Sequence, residues 1–347
     1  MRIMFRVLLL LLGLALGSTV AEIGLRVAGW PAPGFYQDGR GPLALHAPGA
    51  EGGAYPRNVS GRLRHYDYDV AWLVNSHGFR ERQNQPKSPH EWRIGLLGDS
   101  FAAGVGVEQH TRFGDVWYTA IHKQLPNVIM WDLAAPLCGT ACEAAILDGV
   151  GRQYDLDEIV LAFYGGNDVA DNVSWYQSAA TPDAGRSTPP VSERIRGWLR
   201  EHSRLATFTW VHALRGFATF QPPGIYSETS LRNDWPATEQ ALMGLKEAVG
   251  SRPLTIIYLP AIPEWDDAVW RTVQQRYGVS DAGRFVVKQA LMAWAQRNAV
   301  DFMDATPWLR RCSSAKECTF PVDSHWNARG HLLVGEGLVA HWTRGAH

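Results

Sequence analysis

The stretch Ile94-Gly95-Leu96-Leu97-Gly98-Asp99-Ser100-Phe101 constrains the fold of this chain more than any other. An apolar run of that length, closed by glycine and followed by Gly104 and Gly106, fits a central strand of a parallel sheet. A strand that ends in a tight turn lifts the next side chain above the sheet edge, and nucleophile turns of this form recur on unrelated folds. Ser100 is therefore a candidate nucleophile. Gly-Asp-Ser is also an ordinary turn sequence, so the tripeptide needs partners elsewhere in the chain.

The segments after Ser100 alternate in type. The spacing predicts a helix over 112–124, a strand over 128–133, a helix over 143–152 and a buried strand over 158–163 that ends in Tyr164-Gly165-Gly166-Asn167-Asp168. Strands alternating with helices imply βαβ units and a mainly parallel sheet, hence an α/β fold. Residues 170–235 break the rhythm with Ser/Pro/Thr stretches and an amphipathic segment over 192–214, and read as an inserted helical cap. The rhythm then returns: helix 239–249, strand 254–259, helices 266–277 and 282–298, strand 300–303, and a last helix over 327–343.

Upstream, Arg2 and Arg6 precede 15 uncharged residues, Val7 to Ala21, rich in leucine. This is an export-type apolar run. Its apolar character resumes past Glu22, with Arg26 able to snorkel, so residues 1–29 read as a signal anchor, with cleavage after Ala21 as the alternative. The basic residues stay inside and the remainder is exported. Residues 30–65, rich in Pro and Gly as far as 56, read as a linker to a domain over 66–347. Around 66–80 the sequence is aromatic and extended, a strand and turn ending in Asn75-Ser76-His77-Gly78-Phe79-Arg80; Arg80 reads as one half of a surface ion pair, with a contact to an anionic substrate group as the alternative. A net charge of −1 leaves no electrostatic footprint for nucleic acid. The 15 Trp suit sugar stacking as well as core packing, and for most of them core is the plainer reading.

Two further motifs sit where such a fold would need them. Asn167 follows a strand, so it lies at the same carboxyl edge as Ser100, where open parallel sheets bind ligands. Its amide can donate to a developing oxyanion, or it can be a turn asparagine. Asp323-Ser324-His325-Trp326-Asn327 precedes the last helix. On an extended segment Asp323 and His325 point to one side, so Asp323 can orient the imidazole while His325 takes the serine proton.

The order Gly-Asp-Ser, Gly-x-Asn-Asp, Asp-x-His resembles that of the SGNH (GDSL-type) hydrolase superfamily, over roughly residues 70–345 outside the insert. The resemblance implies a three-layer α/β/α, flavodoxin-like domain. The upstream Asn-x-x-Gly-Phe-Arg, the apolar N-terminus and His-Trp-Asn are similar to the membrane-anchored members linked to bacterial cell-surface polysaccharides; Asp-x-His-Trp is similar to their O-acetyltransferase branch. The resemblance implies Ser100 as nucleophile, His325 as base and Asp323 as its orienting acid. It implies an oxyanion hole made by the Ser100 N–H, the Asn167 side chain and a backbone N–H near Leu137 or Gly139, with Gly139 preferred. Asp99 and Asp168 match positions that are mainly structural. Many members have Asp-x-x-His, whereas this chain has one residue between the pair.

The four cysteines allow three pairings. Nearest neighbours give Cys138–Cys142 and Cys312–Cys318, which export makes plausible; free thiols at Cys138 and Cys142 are the alternative. No zinc-ligand spacing and no phosphate-binding glycine loop appears, so neither metal nor cofactor is expected. The expected function is a serine esterase acting through an acyl-enzyme on acyl, above all acetyl, esters of a cell-surface polysaccharide. The expected location is the bacterial inner membrane, with the catalytic domain on the periplasmic side. The alternatives are O-acetyl transfer by the same triad and a silent polysaccharide-binding or assembly protein.

Overall fold

The computed structural model describes residues 2–30, 34–37, 42–43, 48–180, 191–214 and 223–345. In chain order the elements are α1 (Arg2–Val27), β1 (Gly34–Gln37), β2 (Pro42–Leu43), β3 (Ser60–Arg64), β4 (Asp69–Leu73), β5 (Trp92–Gly98), α2 (Phe113–Gln124), β6 (Val128–Asp132), α3 (Thr140–Asp148), β7 (Glu158–Tyr164), α4 (Asp168–Ala180), α5 (Val191–His202) and α6 (Arg204–Thr209). They continue with α7 (Glu228–Val249), β8 (Leu254–Leu259), α8 (Ile262–Trp265), α9 (Asp267–Tyr277), α10 (Val286–Arg297), β9 (Asp301–Asp304), α11 (Thr306–Leu309), α12 (Ala315–Cys318) and α13 (Ala328–Gly345).

The expected parallel sheet is present. Its five strands lie in the order β6-β5-β7-β8-β9, all parallel, with Ile94 opposite both Met130 and Glu158. Every residue of β7 and β8 is buried, as expected of strands covered on both faces. One apolar layer, with Leu97, Ile146, Leu161, Leu242 and Trp294, lies on one face of the sheet; the other, with Leu96, Phe113, Val160, Leu259, Trp326 and Leu333, lies on the opposite face. This is the three-layer α/β/α arrangement. The strand order reverses between β5 and β7, and ligands bind outside the carboxyl ends of strands at such a switch point. Ser100 and Asn167 follow those two strands.

Three differences from the sequence reading matter for the site. Part of the segment read as linker is sheet: β1, β2, β3 and β4 form an antiparallel sheet in the order β2-β1-β3-β4. Its strands are two to five residues long, too short to show an alternating pattern through the Pro and Gly around them. Second, α7 begins at Glu228, eleven residues before the expected start, with the Ser227 hydroxyl accepting from the Ser230 N–H at 3.3 Å and Pro236 carried inside the helix. Helices α4 and α7 pack against α3, so they belong to the outer layer of the domain; between them the described residues of the insert form α5, α6 and the short turns that follow. Third, Arg80 is no surface residue. It is 1% exposed and donates to the carbonyls of Ala71, Gly104 and Val107 at 3.0, 2.8 and 2.7 Å, with its guanidinium over Trp72. It joins the small sheet to the loop after Ser100.

Candidate active site

Gly98 permits the turn that presents Ser100. A Cβ there would lie 2.6 Å from the Ala102 Cβ and 3.1 Å from the Ala162 Cβ, so a side chain would push the turn off β7. Asp99 faces inward and its carboxylate accepts from the Phe101 N–H at 2.8 Å, closing the turn. Ser100 is left half-buried at the sheet edge. Its Oγ lies 2.7 Å from His325 Nε2, and His325 Nδ1 is hydrogen-bonded to Asp323 Oδ1. The serine, imidazole and carboxylate expected from sequence thus form one relay.

The Asp323–His325 pair meets by a different backbone route from the one expected. Ser324 has φ +72°, so the segment is a left-handed turn and not an extended strand. The turn is closed by Phe320 N–H to His325 C=O at 2.8 Å and Ser324 N–H to Phe320 C=O at 3.3 Å. A non-glycine residue in that region is strained, and such strain persists only where the surroundings fix it. Here Trp326, fully buried against Phe101 and Phe113, pins one end.

The other end is held by the turn between β3 and β4, which sequence reading did not connect to the site. The Asp67 carboxylate accepts from the N–H groups of Val322 and Asp323 at 2.6 and 2.8 Å. The Tyr68 hydroxyl donates to Asp323 Oδ2, the oxygen that His325 does not use. His65 stacks on Tyr68, with Nδ1 3.9 Å from Asp323 Oδ2. Burial alone would raise the Asp323 carboxyl, but the hydrogen bond and charge of His325, with the Tyr68 donor, outweigh it and hold the group at about 2. The same contact and its burial push the Tyr68 phenol well up, so it stays a donor. No residue near Tyr68 in sequence signalled this; only the fold brings positions 68 and 323 together.

Asn167 closes the turn after β7. It is half-buried at the sheet edge, and its side-chain N–H₂ group is the one donor the amide offers. Gly139, the residue before α3, sits against the first turn of α4: a Cβ there would be 2.9 Å from Asp171 Cβ and 3.2 Å from the Asp168 carbonyl. The backbone N–H groups of Ser100 and Gly139 find no acceptor among the described residues. Leu137, the alternative donor, has φ +65° and an exposed side chain. The loop is fastened by the Cys138–Cys142 disulfide, and Cys312–Cys318 fastens the segment before the Asp323 turn, so both expected local pairs are present.

Beneath the edge lies a group of carboxyls that the sequence did not reveal. Glu143 is fully buried with no hydrogen-bond partner for either oxygen among the described residues. Burial, then the charges of Asp99 and Asp171, push it well above the carboxylate range. Asp168 accepts from the Tyr164 N–H at 2.9 Å and is likewise pushed well up, by burial and by Glu143. Burial brings Asp99 and Asp171 each to about 6. His331, on α13, is fully buried, accepts from the Phe113 N–H at 3.2 Å and is pushed down to about 3 by burial. It is occupied by the core and takes no part in the relay.

No family model matches this chain, and no curated protein does. Solved structures similar to it include a two-domain esterase active on acetylated mannans, at 11% identity and TM-score 0.42, covering 74% of this chain and 49% of that one, so that this chain spans about half its length. A lipolytic protein of the G-D-S-L family from Veillonella parvula is 14% identical with TM-score 0.41, covering 73% of this chain and 99% of that one. Est24, a carbohydrate acetylesterase from Sinorhizobium meliloti, is 11% identical with TM-score 0.38, covering 73% and 99%.

Proposed function

We propose that this protein is a serine esterase that removes acyl groups, acetyl above all, from a cell-surface polysaccharide. The observation that carries the reading is the relay from Ser100 Oγ through His325 to Asp323, with Nε2 at 2.7 Å from the hydroxyl. In the proposed reaction Ser100 Oγ attacks the ester carbonyl as His325 Nε2 takes its proton. The oxyanion accepts from the Ser100 and Gly139 N–H groups and from the Asn167 amide, an interaction worth about 3–4 kcal/mol per donor in serine hydrolases. His325 then protonates the leaving sugar oxygen, and water, activated by the same imidazole, releases the acid. The choice of acetyl ester and polysaccharide rests on the resemblance of Asp323-Ser324-His325-Trp326 to one branch of the SGNH superfamily.

The same reading places α1 across a membrane and the rest of the chain outside the cytoplasm. Three features support it: 26 helical residues with none buried, basic residues only at the start and end, and two disulfides. The test is turnover of an acetyl-ester reporter by the full chain in detergent, with and without oligosaccharide acceptors. Ser100→Ala is expected to fall to background while keeping its melting temperature. Retained turnover in that variant refutes the proposed nucleophile. Acetylated oligosaccharide formed in place of free acetate would assign the chain to acyl transfer instead.

A further inference from the structure

Helix α5 presents an apolar face that the described residues leave largely exposed. Val191, Ile195, Trp198 and Leu199 recur at i, i+4, i+7 and i+8, one stripe of a helix. Val191, Ile195 and Trp198 are 68%, 54% and 58% exposed. The same stretch of sequence holds three arginines, Arg194, Arg196 and Arg200, and two glutamates, Glu193 and Glu201. A short helix of low net hydrophobicity, with an apolar stripe of Val, Ile, Trp and Leu in an arginine-bearing sequence, suits the boundary between lipid headgroups and acyl chains.

Its place relative to α1 identifies the occupant. At 1.5 Å per residue α1 is about 39 Å long, more than the hydrocarbon core of about 30 Å, so its last turns emerge among headgroups. Those last turns hold α5 and α6. Arg26 donates to the His202 carbonyl at 2.6 Å, at the end of α5. The Glu22 carboxylate accepts from the Ser203 hydroxyl and from the Arg204 and Leu205 N–H groups at 3.0, 3.0 and 2.8 Å, capping α6. Beside them Trp30 stacks on Tyr66 and meets Phe208 edge-on, an aromatic cluster of the type that lies at headgroup level.

We infer that α5 lies in the interface of the bilayer that α1 crosses, with Val191, Ile195, Trp198 and Leu199 immersed in lipid. The inference rests on the anchor reading above. It gives the chain a second membrane contact, which fixes how the domain is tilted. The ring contacts Trp30–Tyr66 and Tyr66–His65 then join that contact to the turn holding Asp323, so the catalytic edge is set close to the membrane surface.

All four cysteines are in disulfides, so single new cysteines can be labelled selectively. Ile195→Cys, Trp198→Cys and, as control, Lys123→Cys on α2 are labelled with bimane and reconstituted as full chains. The vesicles contain phosphatidylcholine and phosphatidylglycerol, with or without brominated acyl chains. We expect bromolipid to lower emission at 195 and 198 at least twofold and to leave 123 unchanged, while aqueous iodide quenches only 123. Iodide quenching at 195 and 198 in a chain that still floats with vesicles overturns the inference and spares the anchor. Shielding of both sites from iodide and bromolipid means that protein, a second copy or another part of this chain, covers the face, and also overturns it. A chain that fails to float refutes the anchor, and the inference with it.

Discussion

Asp323 uses its two oxygens for different purposes. Oδ1 meets His325 and fixes which ring nitrogen carries the proton; Oδ2 receives the Tyr68 hydroxyl, and the N–H groups of Val322 and Asp323 hang from Asp67. Held at about 2, the carboxyl is ionised at any pH where the protein would work. Asp323→Asn keeps the shape but presents an amide where the ring needs an acceptor. In a serine protease of unrelated fold that change costs about 10⁴ in turnover. Because Asp67 still positions the turn, we expect a smaller loss here, on the order of 10² in kcat, with His325→Ala far worse. Tyr68→Phe removes one charge-assisted hydrogen bond and leaves the ring stack with His65. A roughly tenfold fall in kcat with KM unchanged is expected, measured on the acetyl-ester reporter. A Tyr68→Phe enzyme with unaltered kcat would show that Tyr68 only packs.

At the scale of elements, the site is a set of short loops tied down from outside the parallel sheet. The Cys312–Cys318 disulfide closes the segment leading into the Asp323 turn; by chain-entropy reasoning for so short a loop its loss costs about 2 kcal/mol. We expect the Cys312→Ser/Cys318→Ser variant to lose about that much in urea unfolding and to lose activity more steeply than stability, because the turn at Ser324 is left less restrained. Equal activity per folded molecule would show that the bridge serves stability alone. The same elements mark where sequence was readable. The strands β5 to β9 and the helices between them are long apolar or periodic runs, and the three motifs fall at strand ends, so the sheet and the Ser100, Asn167 and His325 positions could be read directly. The β3–β4 turn could not. Asp67 and Tyr68 make their contacts across 255 residues of sequence, and β1 and β2 are too short to show a period. Arg80 was misread for a related reason: an arginine satisfied by backbone carbonyls has no acidic partner in sequence to betray its burial.

Over the whole molecule the buried carboxyls set how stability depends on pH. Burial raises Asp99 and Asp171 to about 6 and Glu264 to about 7, and it pushes Glu143 and Asp168 well above the usual range. In the unfolded chain these groups ionise near pH 4. Between about pH 4 and pH 7 the folded state therefore binds more protons than the unfolded state, and stability falls as pH rises through that window. Buried His331, pushed down to about 3, has the opposite sign: it stabilises as pH rises toward its unfolded value near 6.5, and His65 and His77, lowered by burial, act the same way. Asp323, being depressed, loses its contribution only as pH falls from about 4 through about 2, outside the window. Burial raises two further carboxyls, Asp132 to about 7 and Glu158 above its usual range, and together these seven raised carboxyls outweigh three lowered histidines, so the melting temperature of the full chain in detergent should decline from pH 5 to pH 7.5. Glu143→Gln replaces an acid that must stay protonated with an amide that needs no proton. It should flatten that decline, raising the melting temperature at pH 7.5 relative to wild type more than at pH 5. A wild-type melting temperature that climbs over the same range would mean that the histidines dominate and that the carboxyl group beneath Ser100 is ionised in the folded protein.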